Sequence, residues 1–238
     1  MPDPLFFNAY RNGSPPWDIG RAQPAFVELA NAGQIKGSVL DVGCGTGDNV
    51  LEMAERGHEA WGVDIVPMAI DQAKAKARLR DLDKACTFLV GDALELEHLN
   101  RTFDTVIDCG LFHSFSDPER QVYAQQLASV LPAGGTLHLM VMSDWEDPNW
   151  GGPRRVGQQD IIETFSDGWR IDDIQEARFT VRPPYKLRAH AWLASIIREA
   201  PPPKKRPRRK QVEPPVAKRT RAKPIKAPTP EVQVQATA

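Results

Sequence analysis

The sequence predicts an α/β protein: a mostly parallel sheet between helices, closed by an antiparallel hairpin. Three observations predict it. The stretch Val39-Leu-Asp-Val-Gly-Cys-Gly-Thr-Gly-Asp-Asn-Val50 passes from an apolar run to glycines on alternate positions, Gly43, Gly45 and Gly47. A helical pattern of Val50, Leu51, Met53 and Ala54 follows, so the stretch reads as strand, tight turn and helix start. Further apolar runs recur after it, separated by helix-like segments, which is the rhythm of parallel strands and crossovers. The last two runs, at 169–181 and 187–197, have no helix between them and should pair antiparallel.

Taken in order, residues 1–20 spread Phe6, Phe7, Tyr10 and Trp17 among Gly13, Pro15 and Pro16. The prolines argue against a continuous helix, so an irregular segment folding over the domain is expected. It either covers a sheet edge or acts as a lid. Residues 22–34 place Ala25, Phe26, Leu29 and Ala30 on one helical face. The first strand is expected at 38–43, then a helix to Arg56 closed by Gly57, then a strand from Glu59 to Ile65. The helix from Met68 to Leu82 alternates Lys, Arg and Asp on a side expected to face solvent. Strands ending near Asp92 and Cys109 follow, with Asp92 a possible turn cap for 94–99. Ser116 or Asp117 starts a helix to Val130, and Gly134-Gly135 leads into a strand from Thr136 to Met142. A Trp-, Gly- and Pro-rich loop spans 143–157, and a short helix runs from Gln159 to Phe165. Pro183-Pro184-Tyr185 reads as the turn of the final hairpin.

The glycine turn says what kind of ligand to expect. The third glycine of a dinucleotide fingerprint would fall on Asp48, and no lysine follows to make a P-loop. An acid, Asp41, stands two positions before the first glycine, which suits a ligand with a cationic amino group rather than a phosphate. Residues 39–47 resemble the first motif of class I S-adenosylmethionine-dependent methyltransferases. Trp61-Gly-Val-Asp-Ile65, Phe88-Leu-Val-Gly-Asp-Ala93, Phe103-Asp-Thr-Val-Ile-Asp-Cys-Gly110 and Leu131-Pro-Ala-Gly-Gly-Thr-Leu137 resemble that family's later blocks, in its order. The run Tyr10 to Arg21 is similar to the start of bacterial small-molecule enzymes acting on quinolones and related heterocycles, near the thiopurine and halide methyltransferases.

The resemblance implies a Rossmann-like, seven-stranded, mostly parallel sheet with helices on both faces, and S-adenosylmethionine as cofactor. It implies a lid at 1–20, with Trp17 against the ligand, and a catalytic domain at 21–200. Gly43, Gly45 and Asp41 would seat the methionine part, and Asp41 would organise the turn. Asp64, at a strand's carboxyl end, would accept from the ribose hydroxyls unless it only caps the helix that starts at Pro67, and Ile65 or Val66 would lie on the adenine. Asp92 and Ala93 would meet the adenine edge, and Cys109 would lie near the sulfonium. His113 would be the general base if it is not an ordinary loop histidine. Trp145 and Trp150 could sandwich a flat acceptor, with Arg155 or Arg154 on its oxygen, or the tryptophans could only pin the loop. The implied activity is methyl transfer to O or N of a small aromatic or heterocyclic molecule.

Other classes are disfavoured by what is missing. The exit Asp108-Cys-Gly-Leu111 lacks the Pro-Pro-aromatic motif of nucleic-acid amino-methylating enzymes, and no Pro-Cys pair offers a cytosine-5 nucleophile. Asp144, Glu146 and Asp147 are interrupted by Trp145 and Pro148, so a solvated loop rather than a metal site is expected. Cys44, Cys86 and Cys109 form no C-x-x-C pair, and there is no signal peptide or apolar span, so a cytoplasmic protein is expected. The net charge of −1 hides an asymmetry: residues 201–238 carry eleven Lys/Arg against two Glu, a net +9, leaving −10 for the rest. That tail has no apolar periodicity and is expected to be disordered. It is either a passive extension or a basic arm that would recruit nucleic acid or protein as an alternative acceptor.

Overall fold

A computed structural model describes residues 4–13, 15–183 and 188–200. Seven strands form one sheet: β1 (Val39–Val42), β2 (Ala60–Asp64), β3 (Cys86–Val90), β4 (Thr105–Cys109), β5 (Thr136–Met142), β6 (Trp169–Thr180) and β7 (Arg188–Arg198). Their order is β3-β2-β1-β4-β5-β7-β6. β1 pairs in parallel with β2 on one side and β4 on the other, while β7 runs antiparallel between β5 and β6. The chain therefore steps outward from β1 to β3, then returns to the other side of β1. That reversal opens a crevice at the carboxyl ends of β1 and β4, where ligands bind in open α/β sheets.

The helices are α1 (Pro4–Arg11), α2 (Pro24–Asn31), α3 (Asp48–Glu55), α4 (Pro67–Leu79), α5 (Asp117–Val130) and α6 (Gln158–Thr164). Strand alternation splits the core into two apolar layers. Val39, Ile107, Met140 and Leu193 join Phe26, Leu51 and Ile70 on one face. Leu40, Val106, Leu139 and Trp192 join Tyr123, Leu127 and Ile161 on the other. With both faces covered, β1 is buried along its whole length despite Asp41. α5 starts on a capping box, in which Glu119 Oε2 accepts the Ser116 N–H at 2.8 Å.

Two expectations are corrected. The aromatic leader is not wholly irregular: residues 4–11 are helical, and Pro15 and Pro16 fall after the helix, where they do no harm. Phe6, Phe7 and Tyr10 of that helix pack on Val66 and Ala69 at the start of α4. The charged side of α4 is not merely solvated either. Lys76 Nζ lies 2.8 Å from Asp48 Oδ2 and donates to Thr46 Oγ1 at 2.6 Å, and Thr46 donates onward to Asp18 at 3.1 Å.

The chain divides into Met1–Pro202 and Pro203–Ala238. The basic tail and most of the Pro183–Tyr185 turn lie outside the described residues. Among the described residues no helix is long and apolar enough to cross a membrane, and no cluster of His, Cys, Asp and Glu could hold a metal ion.

Candidate active site

The glycine turn folds back onto the end of β2. The N–H groups of Gly43 and Cys44 both donate to the Val63 carbonyl, at 2.8 and 3.0 Å. Asp64, the last residue of β2, closes the arrangement: Oδ2 accepts the Gly45 N–H at 2.8 Å and Oδ1 accepts the Val66 N–H at 2.9 Å. Glycine is needed here for space and for φ. Gly45 has φ +54°, and a Cβ on it would stand 2.7 Å from the Tyr10 hydroxyl. Gly43 has φ +72°, and its Cβ would meet Leu111 at 3.0 Å.

Asp41 does something other than organise the turn. Both of its carboxylate oxygens are buried without a hydrogen-bond partner, and the residue is 1% exposed. The turn is held by Asp64 instead. Burial, and after it the nearby Asp108 carboxylate, push the Asp41 pKa well above the usual range, with the Asn49 amide as the neighbouring dipole that opposes them. A buried carboxylate with no counter-charge, below a turn that is glycine at every second position, fits a ligand that brings a positive charge.

The crevice above is roofed by the N-terminal segment. Gly43, Gly45, Asn49 and Cys109 line it from the turn, α3 and β4, Tyr10, Trp17 and Arg21 from the N-terminal segment, and Phe179 from β6. Trp17 donates its indole N–H to the Tyr10 hydroxyl at 3.2 Å. The segment is fastened at both ends. Gln23 makes a two-way amide pair with the Thr180 backbone, at 2.9 and 3.0 Å, and the Arg182 N–H donates to the Pro16 carbonyl at 2.9 Å. Asp18 belongs to the Lys76 and Thr46 network described above.

Of the expected residues, Trp17, Gly43, Gly45 and Cys109 meet at this crevice, with Asp41 and Asp64 beneath and beside the turn. Ile65 is half-buried against the Tyr10 and Val66 group at the rim. Asp92 accepts the Leu94 N–H at 2.9 Å, so it caps the 3₁₀ turn Ala93–Leu99, and Ala93 is buried in the same apolar layer as Val63.

The acceptor-side residues are arranged differently from expectation. Trp145 packs edge-on to Trp192, with ring centroids 4.5 Å apart, on the sheet face opposite the layer that contains Cys44 and Phe179. It is Trp150 that packs against that layer. The Arg155 guanidinium is spent on the loop itself, donating to the Pro153, Asp147 and Gly151 carbonyls at 2.5 to 2.9 Å. The acids nearby are pins rather than solvated groups. Buried Glu146 accepts the His190 N–H at 2.6 Å, and Asp144 accepts the Trp192 indole N–H at 3.0 Å.

His113 sits in a 3₁₀ turn after β4, half-buried, edge-on to Phe179. Its Nδ1 accepts the Met142 N–H at 3.1 Å. Desolvation, with Arg120 and Arg155 adding to it, holds its pKa down to about 3. A ring whose Nδ1 is already an acceptor carries its hydrogen on Nε2 when neutral. The expected base is therefore presented as a donor. Close by, Asp108 accepts from the N–H groups of Leu111 and Phe112 and from the Tyr123 hydroxyl at 2.9 Å; burial raises its pKa to about 7.

Tyr10, Asp18, Thr46 and Lys76 were not singled out from the sequence. The aromatic leader hinted at Tyr10. Lys76 is thirty residues from its partner Thr46, and no local pattern announces that contact.

Comparison with known proteins agrees with this geometry. Residues 39–135 match the family described as a methyltransferase domain. The chain is 36% identical over 182 residues to a 2-heptyl-1-hydroxyquinolin-4(1H)-one methyltransferase of Mycobacteroides abscessus, covering 73% of this chain and 80% of that protein. It is 30% identical over 149 residues to a probable thiol methyltransferase of Arabidopsis thaliana, covering 62% and 65%. A solved structure concerned with conversion of a disulfide bond into a thioacetal group during echinomycin biosynthesis superposes with a TM-score of 0.76 and 35% identity, over 82% of this chain and 92% of that one. With the crevice at the β1–β4 switch point, the bare glycine turn, the carboxylate on β2 and these relatives in hand, the chain belongs to the class I S-adenosylmethionine-dependent methyltransferases.

Proposed function

We propose that this methyltransferase acts on O or N of a small aromatic or heterocyclic acceptor. The observation that carries the reading is the roof: Tyr10 and Trp17 belong to a segment fastened across the crevice from α4 to the end of β6, and such a cover suits a small acceptor better than a polymer. The hydroxyquinolone relative supports the same acceptor class.

The cofactor supplies an electrophilic methyl on a positive sulfur and a good leaving group. The protein's share is binding, orientation and exclusion of water. Asp41 would face the cofactor's ammonium group, which would give that buried carboxylate its missing counter-charge. Asp64 would share its oxygens between the Gly45 N–H and the ribose hydroxyls, tying sugar and turn together. Gly43 and Gly45 would let the ligand lie on the main chain. Trp17 would cover it, with Cys109 at the methyl end. Ile65, Asp92 and Ala93 would border the adenine. The acceptor would lie between Cys109, Phe179 and Trp150, rather than on Trp145 or Arg155.

The test is a panel of hydroxyquinolones, phenols, thiols and thiocyanate, read by methyl incorporation and by cofactor turnover. Methylation of ring hydroxyls or ring nitrogens is expected. Transfer only to thiols or thiocyanate would replace O and N by sulfur as the accepting atom. Transfer only to RNA, DNA or protein, lost on deleting residues 201–238, would refute the small-acceptor reading.

A further inference from the structure

We propose that His113 serves as a fixed hydrogen-bond donor, and that the acceptor enters the crevice as its anion. The inference rests on the small-acceptor reading and narrows it to acceptors acidic enough to ionise in solution.

The geometry leaves the ring one hydrogen to offer. Nδ1 lies 3.1 Å from the Met142 nitrogen, whose single hydrogen points at it. A proton on Nδ1 would set two hydrogens against each other and break that bond. The hydrogen of the neutral ring is on Nε2, and Nε2 has no protein partner among the described residues. It lies 3.5 Å from where a Cβ on Gly110 would stand, one residue past Cys109 of the crevice wall. Glycine at 110 is what lets the ring come that close. A donor with no partner, edge-on to Phe179 and close behind Cys109, both of which line the crevice, would be ready for an oxygen or nitrogen lone pair of the ligand.

Two buried acids bear on the crevice wall at Cys109: Asp41, which the cofactor's ammonium group would answer, and Asp108, already held by the Leu111 and Phe112 N–H groups and the Tyr123 hydroxyl; the charges that bear on the His113 ring itself are cationic. From α5 the group bearing on His113 is Arg120, and from the loop after β5 it is Arg155; both are cationic. β5 and β6 bring the Met142 amide and the Phe179 ring, neither of which titrates. Arg120 is buried, with Nε and Nη2 unpartnered, its guanidinium over the Phe112 ring at 4.6 Å and Asp117 only 3.5 Å from Nη1. A half-satisfied buried guanidinium beside a neutral imidazole makes a field that favours an anion and opposes an imidazolium. The acceptor then loses its proton to solvent before binding. Its lone pair takes the methyl carbon, the carbon–sulfur pair stays on sulfur, and no proton passes to the protein. The class this selects is a flat ring with an acidic hydroxyl or N-hydroxyl.

The experiment uses the full chain. Long-range 15N–1H spectra of the ring report the tautomer without any ligand, and an Nε2–H signal persisting to pH 5 is expected. Calorimetry with 1-hydroxyquinolin-4(1H)-one and nitrophenols of graded acidity, in the presence of S-adenosylhomocysteine, gives Kd against pH. Affinity is expected to tighten through each acceptor's own pKa, and His113→Gln should leave the rest of the pH profile between 5 and 9 unchanged. His113→Gln can place an amide N–H where Nε2 was and should stay within about threefold in Kd for the anion. His113→Asn keeps only the acceptor for Met142 and should weaken it about tenfold or more, by loss of a hydrogen bond to a charged group. S-adenosylhomocysteine affinity should hold in both. An Nδ1–H tautomer, equal affinity for neutral acceptors, or a protein pKa near 6 to 7 that disappears in His113→Gln would overturn the inference alone. Failure of every acceptor to bind would overturn the small-acceptor reading, and this one with it.

Discussion

Asp41→Asn should strengthen the free protein and weaken the complex. The wild-type carboxylate is buried without a partner, and burial is the main cause of its raised pKa. The sign follows from proton linkage. In the pH range above the unfolded value of about 4 and below the raised folded value, the folded state holds a proton that the unfolded state has lost. Stability of the free protein therefore falls as pH rises through that window. Asparagine has nothing to ionise, so the variant should lose this slope and gain most over wild type on the alkaline side. S-adenosylmethionine reverses the balance, because its ammonium group would supply the missing counter-charge and drive the proton off Asp41. Loss of one hydrogen bond to a charged group costs about 2–3 kcal/mol, roughly 30- to 150-fold in Kd. Calorimetry in buffers of different ionisation heat should show wild type releasing up to one proton per cofactor bound, and the variant none. Thermal unfolding without ligand from pH 5 to 9 reads the stability half. A variant that is less stable than wild type at pH 8, and that binds the cofactor equally well, would refute the reasoning.

The other predictions concern how the turn and roof are held. Gly45→Ala must adopt φ near +54° and push the Tyr10 hydroxyl out of the way, so cofactor affinity should fall at least tenfold; the left-handed backbone alone costs about 1–2 kcal/mol. Calorimetry checks this, and Tyr10→Ala in the same background should restore part of the loss. Lys76→Met removes the cation shared by Asp48, Thr46 and Asp18, so the segment between α1 and α2 should be cut faster in limited proteolysis, while the unfolding temperature changes little. Asp108→Ala strands the Leu111 and Phe112 N–H groups and the Tyr123 hydroxyl in the core, which should cost about 3–5 kcal/mol by urea unfolding at pH 5. Because burial lifts the Asp108 pKa to about 7, wild type loses that carboxyl's contribution as pH rises from about 4 through 7, and the gap to the variant should narrow over the same window.

The sequence alone determined the order of strands and helices from α2 onward, the turn at Gly43 to Gly47 and the placement of Asp64 at the end of the next strand. Those features are local: apolar periodicity, glycine spacing and an acid at a strand end are written in consecutive residues. It also located the antiparallel hairpin, because β6 and β7 are joined without a helix. Only the tertiary structure decided which acid holds the turn. Asp41 and Asp64 look alike in sequence, yet one is buried without a partner and the other accepts two backbone N–H groups. The same is true of His113, whose chemistry depends on a Met142 amide twenty-nine residues away, and of Arg155 and Trp145, which the fold spends on the loop and on Trp192. Residue type sets what a side chain can do. Which lone pair is free, and which charge is unanswered, depends on partners that meet only when distant segments pack.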